Sequence, residues 1–298
     1  MAKDRIEDST EAEIRRLAEI LAPARLTEIV DIGANPTELP VYMPLVAAGA
    51  ARVTGFEPQP SAFAELADRQ GPHERYLPHA VGDGTEGTLN VCRSGGFTSL
   101  FTPDRRAQDY LNKPRWSRMT EVRERIGIET RRLDDIAEIE RLDLLKIDIQ
   151  GGELAVFENG RSRLARTLAV ITEVAFMPLY EDQPLLHDQM RELTGQGFQL
   201  HSFLSSAGAQ MREAAELPLK PRSLSPQLLD GDALFLRDPR DMQDFSEEEL
   251  KHYALIAAGA LRLPDLVARC LRALIGRGAL PETAFAAYTE ILQGAARR

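Results

Sequence analysis

The chain has 298 residues, of which 43% are hydrophobic and 28% are charged, and it carries a formal net charge of -10. This composition is typical of a globular protein with a sizeable core. The negative charge disfavours nucleic acid and anionic membranes as main partners, because both would repel the chain. The two cysteines, Cys92 and Cys270, are far apart and indicate no disulfide framework, which fits a reducing compartment.

Targeting signals are not apparent in the sequence. Residues 1–16 are charged and lack the apolar centre of a signal peptide. No apolar run approaches the roughly 18 residues that a membrane span needs. We therefore expect a cytoplasmic protein whose partners include neither a membrane nor a nucleic acid.

Strand and helix patterns alternate along the first 240 residues. Capping residues at 8–10, followed by apolar residues at helical spacing, predict a first helix that ends before Pro23. Continuous apolar runs then predict strands, and amphipathic stretches predict helices. The predicted strands are 28–33, 51–58, 75–84, 88–92, 142–151, 167–176, 199–204 and 233–238; the predicted helices are 40–49, 61–71 with Ser61 as N-cap, and 187–198. This order predicts a doubly wound, mostly parallel α/β sheet.

The pattern changes after Pro239, where helical signals take over. Ser246 and Glu249 have capping-box spacing. Two later helices would begin at prolines and end at glycines, Pro264 to Gly278 and Pro281 to Gly294. Their apolar stripes would pack against each other and the main domain, or else join two copies of the chain as a homo-oligomer. We predict an N-terminal helical segment at 1–27, a main domain at 28–240 and a C-terminal helical appendage at 241–298.

Acidic residues follow the first predicted strands, and ligands of open α/β sheets bind at such strand ends. Asp31, Gly33 and Asn35 form a turn whose small residues let the backbone approach a ligand. Glu57 follows the second strand, where an acid can accept hydrogen bonds from a ribose, although a solvated turn residue is the alternative. The second and third glycines of the dinucleotide fingerprint GxGxxG are missing.

Several ordered motifs together resemble the FkbM-type methyltransferases, which use S-adenosylmethionine and have the class I Rossmann-like sheet. The motifs are VDIGAN, GFEP, HAVGD, TRRLDDI and LLKIDIQGGELAVFENG, and the resemblance covers about residues 28–238. The family pattern Lys-Ile-Asp-x-x-Gly-x-Glu is matched by Lys146, Ile147, Asp148, Gly151 and Glu153. The chain departs from the family at Pro36-Thr37, where a glycine usually follows, and at Gln150, where an acid is common.

The resemblance implies a role for each strand-end residue. Asp31, Gly33 and Asn35 would line the methionine end of the cofactor, and Glu57 would bind its ribose. Asp83, between two glycines, would lie near the adenine, or would only form a turn.

Methyl transfer to a hydroxyl needs alignment of the acceptor and removal of a proton. Asp148 is therefore predicted as a general base, as an orienter of the hydroxyl or as a ligand of a divalent cation. Glu153 is a second catalytic candidate or a helix-capping acid. Glu173, at the end of the next strand, is a further candidate base.

The segment 105–132 is basic, with nine Lys or Arg against four acids. It contains Trp116, and Ser99 lies just before it. An anionic or sugar-bearing acceptor could be held here by charge and ring stacking, with Ser99, Trp116 and Gln150 as tentative substrate residues; a solvated, mobile loop is the alternative. We predict an S-adenosylmethionine-dependent O-methyltransferase acting on a sugar, glycoconjugate or natural product. A nucleoside-binding scaffold and a nicotinamide-dependent oxidoreductase are the alternatives.

Overall fold

The computed structural model describes residues 2–37 and 39–296, and twelve strands can be numbered along these residues. They are β1 (Thr27–Ile32), β2 (Ala51–Phe56), β3 (Glu74–Leu77), β4 (Ala80–Gly82), β5 (Glu86–Cys92), β6 (Val122–Arg132), β7 (Leu144–Ile147), β8 (Ala169–Ala175), β9 (Phe198–Phe203), β10 (Gly208–Ala209), β11 (Gln227–Leu228) and β12 (Asp230–Arg237).

Eleven α-helices surround the strands in the same described part of the chain. They are α1 (Ala2–Leu21), α2 (Met43–Ala47), α3 (Pro60–Arg69), α4 (Arg105–Tyr110), α5 (Trp116–Met119), α6 (Glu153–Glu158), α7 (Arg161–Leu164), α8 (Leu186–Gly195), α9 (Glu247–Ile256), α10 (Pro264–Gly276) and α11 (Thr283–Ala296). None of the described helices has the length and apolar character that would let it cross a bilayer.

A seven-stranded sheet with the order β3-β2-β1-β7-β8-β12-β9 is the centre of the fold. Strands β3, β2, β1, β7 and β8 are parallel, and β12 runs antiparallel to both of its neighbours. The strand order reverses between β1 and β7, which is the position where open α/β sheets bind ligands. The predicted doubly wound, mostly parallel Rossmann-like sheet of the class I methyltransferase type is thus confirmed.

The sheet separates two hydrophobic clusters because neighbouring residues of a strand point to opposite faces. Ile29 and Leu144 belong to the cluster under α1, α2 and the C-terminal helices, whereas Val30 and Leu145 belong to the cluster under α6 and α8. The C-terminal helices therefore cover one face of the sheet. The apolar stripe of α10, which includes the fully buried Leu271, packs within the chain, as one of the two alternatives predicted.

Several predicted boundaries of elements need correction. Helix α1 begins at Ala2 rather than near residues 8–10. Gln59, not Ser61, is the N-cap of α3, because Pro60 occupies the first helical turn. Helix α11 runs past Gly294 to Ala296. The predicted strand 75–84 divides at Pro78 into β3 of the central sheet and β4 of a second, three-stranded sheet of order β4-β6-β5.

The basic segment is not the loop that one alternative predicted. Its second half is the long strand β6, which pairs antiparallel with β5 and parallel with β4. Charged residues alternate there with Ile126 and Ile128, whose side chains are half-buried. This alternation is the pattern of a strand with one solvated face.

Candidate active site

A cleft of about 840 Å³ opens at the carboxyl ends of β1, β2 and β7. Its volume lies in the range of small-molecule and cofactor sites. The structure brings together most of the predicted binding residues in its lining, which includes Asp31, Gly33, Asn35, Glu57, Ser99, Asp148 and Gln150. These residues are up to 119 positions apart in the chain, and the sheet topology is what joins them.

Gly33 makes the close approach between the first two strand ends possible. Its φ is +80°, and a Cβ at this position would lie 2.0 Å from the carbonyl oxygen of Asp148. Its amide donates to the carbonyl of Phe56 at 2.9 Å. Only glycine fits this conformation and this space, so the turn after β1 can lie directly against the start of the loop after β7.

Asp31 is buried at the floor of the cleft in a network with Tyr42 and Lys146. The Tyr42 hydroxyl donates to Asp31 Oδ2 at 2.6 Å, and Lys146 Nζ lies 3.5 Å from Oδ1. Burial alone would lower the pKa of Lys146, but the charges of Asp31 and Asp148 raise it above its ordinary value. Lys146 thus stays charged and pairs with an acid, as one interpretation of the sequence predicted.

Glu57 is half-buried on the opposite wall of the cleft, after β2. Its Oε1 accepts a hydrogen bond from the backbone amide of Gln59 at 2.7 Å. Burial, opposed by that hydrogen bond, raises the pKa of Glu57 to about 7. A carboxylate that is removed from water in this way gains from hydroxyl donors supplied by a ligand. Asn35, which lies nearby in the lining, folds its Oδ1 onto the amide and hydroxyl of Thr37.

Glu153 holds the loop that joins β7 to α6. Its carboxylate accepts from the backbone amides of Ile149 at 2.9 Å and Gly151 at 3.1 Å. Burial raises the pKa of Glu153 in spite of these hydrogen bonds. The side chain is only 2% exposed and does not line the cleft. The geometry therefore favours a structural role, in which Glu153 holds the loop before α6, over direct catalysis.

Gln150 connects the acids of this loop. Its backbone has a φ of +58°, and its Nε2 donates to Asp148 Oδ1 at 3.0 Å and to both carboxylate oxygens of Glu173 at 2.9 Å. Its Oε1 accepts from the Tyr180 hydroxyl at 2.7 Å. Burial and the charge of Asp148 raise the pKa of Glu173 well above its ordinary value. Glu173 lies behind Gln150, outside the cleft lining, so Asp148 is the predicted catalytic carboxylate that faces the cleft.

Ser99 ties the loop to the second sheet. Its hydroxyl donates to the carbonyl oxygen of Gln150 at 2.7 Å and accepts from the amide of Phe101 at 2.9 Å. Both of its hydrogen-bonding roles are thus used inside the protein. In this arrangement Ser99 lines the cleft and holds Gln150 in its left-handed conformation.

Residues 31–200, more than half of the chain, match the family model described as the methyltransferase FkbM domain. The chain belongs to this family. The matched region begins at Asp31 and includes every residue of the cleft named above.

The chain is also similar to individual methyltransferases. It is 33% identical over 138 residues to the 2-O-methyltransferase NoeI of Sinorhizobium fredii (strain NBRC 101917 / NGR234), an alignment that covers 43% of this chain. The aligned part is 55% of NoeI, so the chain spans about half the length of this relative.

Two of the solved structures to which the chain shows similarity are methyltransferases. Magnesium protoporphyrin IX methyltransferase from Synechocystis PCC 6803, with bound SAM, has a TM-score of 0.36 and 11% identity, over 78% of this chain and 81% of that one. Precorrin-6y C5,15-methyltransferase from Geobacter metallireducens GS-15 has a TM-score of 0.38 and 10% identity, over 74% and 87%.

Besides Glu153 and Glu173, two more predicted site residues of this FkbM-family protein lie outside the cleft lining. Asp83 is exposed, and its Oδ1 accepts from the amide of Thr85 at 3.0 Å and from the hydroxyl of Thr85 at 2.7 Å. It forms the turn between β4 and β5, which was the alternative to an adenine contact. Trp116 is only 7% exposed and packs edge-on against Phe97, with ring centroids 6.0 Å apart. It is a core residue and presents no ring to the cleft.

The basic side chains of segment 105–132 are absent from the cleft lining, as far as the described residues show. Most of them, such as Arg118 and Arg125, are exposed to solvent. The charged residues that do line the cleft are mostly acidic, namely Asp31, Glu57, Glu65, Asp148 and Asp232, with Lys146 as the cation. The predicted use of this segment to attract an anionic acceptor has no support in this geometry.

Three residues of the site were not found from the sequence. Tyr42 and Tyr180 approach the acids from loops, at positions that no spacing rule connects to a strand end. Asp232 lies near the start of β12 and lines the cleft. It could have been found as an acid on an antiparallel strand, whose amino end lies at the same sheet edge as the carboxyl ends of its parallel neighbours.

Proposed function

We propose that this FkbM-family protein is an S-adenosylmethionine-dependent O-methyltransferase that modifies a hydroxyl of a sugar, glycoconjugate or natural product. The observation that carries the proposal is the cleft itself. At the point where the strand order reverses, Glu57 lies on one wall and Asp148 on the other, and the Gly33 turn lies between them.

The residues of the cleft fit the cofactor. Asp31 Oδ1 is buried beside Lys146 Nζ, at 3.5 Å, but accepts no hydrogen bond from the described residues. Because Asp31 lines the cleft, this oxygen can accept from the ammonium of the methionine end. Glu57 can accept from the two ribose hydroxyls. The excess of acids also suits a ligand that carries a positive sulfonium.

Asp148 would act on the acceptor. The bound cofactor supplies an activated methyl group for an in-line displacement. Asp148 would accept a hydrogen bond from the acceptor hydroxyl, align its oxygen and take its proton as the new bond forms. Lys146, held beside Asp31, would offset part of the negative charge around Asp148.

The acceptor class follows from charge and from the named relative. NoeI is a 2-O-methyltransferase, and a hydroxyl acceptor agrees with a cleft that offers carboxylates to a donor. Anionic acceptors would be repelled by Asp148 and Asp232. We therefore propose a neutral polyhydroxylated acceptor. We place the activity in the cytoplasm, which the two unpaired cysteines support.

The test combines calorimetry with a methyl-transfer assay on a panel of neutral sugars and glycoconjugates. The Asp148→Asn variant should bind S-adenosylhomocysteine as the wild type does but lose activity by about 10²- to 10⁴-fold, the usual contribution of a general base. Asp83→Asn, which changes an acid outside the cleft, is the matched control and should stay active. Cofactor binding by the wild type without transfer to any acceptor would instead favour the scaffold alternative, and full activity of Asp148→Asn would contradict the role of Asp148.

A further inference from the structure

The loop after β7 and the end of β8 form an acid cluster with the spacing of a cation site. Asp148, Glu153 and Glu173 each offer a carboxylate oxygen, and these three oxygens lie within 4.8 Å of one another. Clusters of carboxylates at this spacing are the ligands that divalent cations such as Mg²⁺ and Ca²⁺ prefer. Spacing alone does not make a cation site, and the neighbouring side chains decide what the cluster can hold.

The amide nitrogen of Gln150 lies among these oxygens. It is 3.0 Å from Asp148 Oδ1 and 2.9 Å from each oxygen of Glu173. A cation bridging Asp148 and Glu173 would need ligand distances of about 2.0–2.6 Å in the same space. The amide therefore has to leave before a cation can bridge these two residues.

Neighbouring contacts hold the amide in this orientation. Turning it over would point the two amide donors away from Asp148 and Glu173 and would remove the hydrogen bond that Oε1 accepts from the Tyr180 hydroxyl. The backbone of Gln150 is fixed at a φ of +58°, and Ser99 donates to its carbonyl oxygen. Such a conformation is uncommon for a residue other than glycine and needs support of this kind.

We propose that the Gln150 side chain occupies the position of a cation in this cluster. Its amide donors link Asp148 to Glu173 and direct Asp148 toward the cleft, so that the base is positioned by a hydrogen-bond network instead of a metal ion. Gln150 is thus a positioning residue, and Tyr180 fixes its amide. The statement about Asp148 rests on the proposed function, whereas the statement about cation binding does not.

Cation binding should appear when the amide of Gln150 is replaced by a carboxylate. Gln150→Glu adds a fourth acid beside Asp148, Glu153 and Glu173. It also removes the amide that donates hydrogen bonds to Asp148 and Glu173. The variant should be less stable than the wild type in a metal-free buffer. With MnCl₂ or CaCl₂ at about a hundredfold excess over the dissociation constant, its melting temperature should rise by about 5 °C.

The experiment is thermal melting and calorimetric titration of five purified proteins, the wild type and four variants including Asp148→Asn, with MnCl₂ and CaCl₂. The wild type should show neither heat of binding nor a melting shift, and Gln150→Glu should show both. Gln293→Glu, which adds the same charge on an exposed position of α11, is the matched control and should behave as the wild type. Gln150→Ala removes the amide at the same backbone position. The cations should raise its melting temperature as well, but by less than they raise that of Gln150→Glu.

Two results would overturn the proposal. One is saturable Mn²⁺ or Ca²⁺ binding by the wild type that is lost in Asp148→Asn, since the cluster would then be a cation site with Gln150 in place. The other is a lack of response in Gln150→Glu or, where that variant does not fold, in Gln150→Ala. Neither readout depends on methyl transfer, so a failure here is distinguishable from a failure of the proposed function.

Discussion

The proposed cofactor side and the proposed acceptor side of the cleft are built in different ways. On the cofactor side, Asp31 lies near the end of β1, and Gly33 and Glu57 lie directly after β1 and β2, so that their positions follow from two adjacent strands. On the acceptor side, Asp148 depends on Gln150, which in turn depends on Ser99 and Tyr180 from two separate loops. A sequence change on the first side should remove one contact, whereas a change on the second should spread through a network.

The largest effect is expected where the two sides meet. Gly33→Ala would place a methyl group 2.0 Å from the Asp148 carbonyl oxygen at a φ of +80°. Left-handed strain and overpacking together should lower the free energy of unfolding by about 3–5 kcal/mol. Thermal and denaturant melting would measure this loss. Gly95→Ala is the control, since a Cβ there meets nothing within 4 Å; equal melting of the two variants would refute the close approach.

On the cofactor side, Glu57→Ala should weaken binding of S-adenosylhomocysteine by about 10- to 100-fold, because it removes a charged acceptor of two hydrogen bonds. The fold should be retained, since Glu57 is only half-buried in the cleft wall. Calorimetric titration gives the affinity. Asp83→Ala, which removes an acid outside the cleft lining, is the matched control. Loss of affinity in Asp83→Ala instead would restore the adenine role that the structure does not support.

A pH dependence of the same affinity would sharpen the assignment of Glu57. Its pKa is raised to about 7, chiefly by burial, and only the ionised form can accept from both ribose hydroxyls. Affinity for S-adenosylhomocysteine should therefore be present at pH 8 and fall about tenfold by pH 6, as the carboxylate gains its proton. The Glu57→Gln variant should lack this slope, and an identical slope in that variant would assign the titration to another group.

The smallest effect is expected at the outer end of the acceptor-side network. Tyr180→Phe removes one hydrogen bond to Gln150 Oε1 and should lower kcat by about 3- to 10-fold through a misplaced Asp148. The affinity for S-adenosylhomocysteine should not change, because Tyr180 does not line the cleft. Tyr110→Phe, which removes the hydroxyl of an exposed tyrosine of α4, is the control. A Tyr180→Phe variant with weaker cofactor binding but normal kcat would reverse the assignment of the two sides.

The same contrast explains what could be predicted from the sequence. The central strands and the acids Asp31, Glu57 and Asp148 could be predicted because apolar runs mark buried strands and function follows strand ends. Their convergence in one cleft followed from the predicted parallel order. For Asp83 the sequence left an adenine contact and a turn open; Pro78 divides that stretch, and Asp83 lies in the turn after β4 of the second sheet.

The acceptor side could not be predicted in the same way. Tyr180 reaches Gln150 over 30 positions of the chain, and only the packed structure brings them together. Trp116 was interpreted as a tentative sugar-stacking residue because the only tryptophan of the chain lies in a basic segment. Tertiary packing against Phe97 determines its place instead. The sequence showed that Gln150 stands where the family commonly has an acid. That its amide lies between Asp148 and Glu173 could be seen only from the distances in the structure.

Calorimetric titration of the purified protein with S-adenosylhomocysteine, with NAD as the control ligand, tests the central claim most directly. The cleft of Asp31, Gly33 and Glu57 predicts saturable binding of S-adenosylhomocysteine and none of NAD. Binding of neither ligand, or of NAD alone, would contradict the assignment of this cleft as the cofactor site of a methyltransferase.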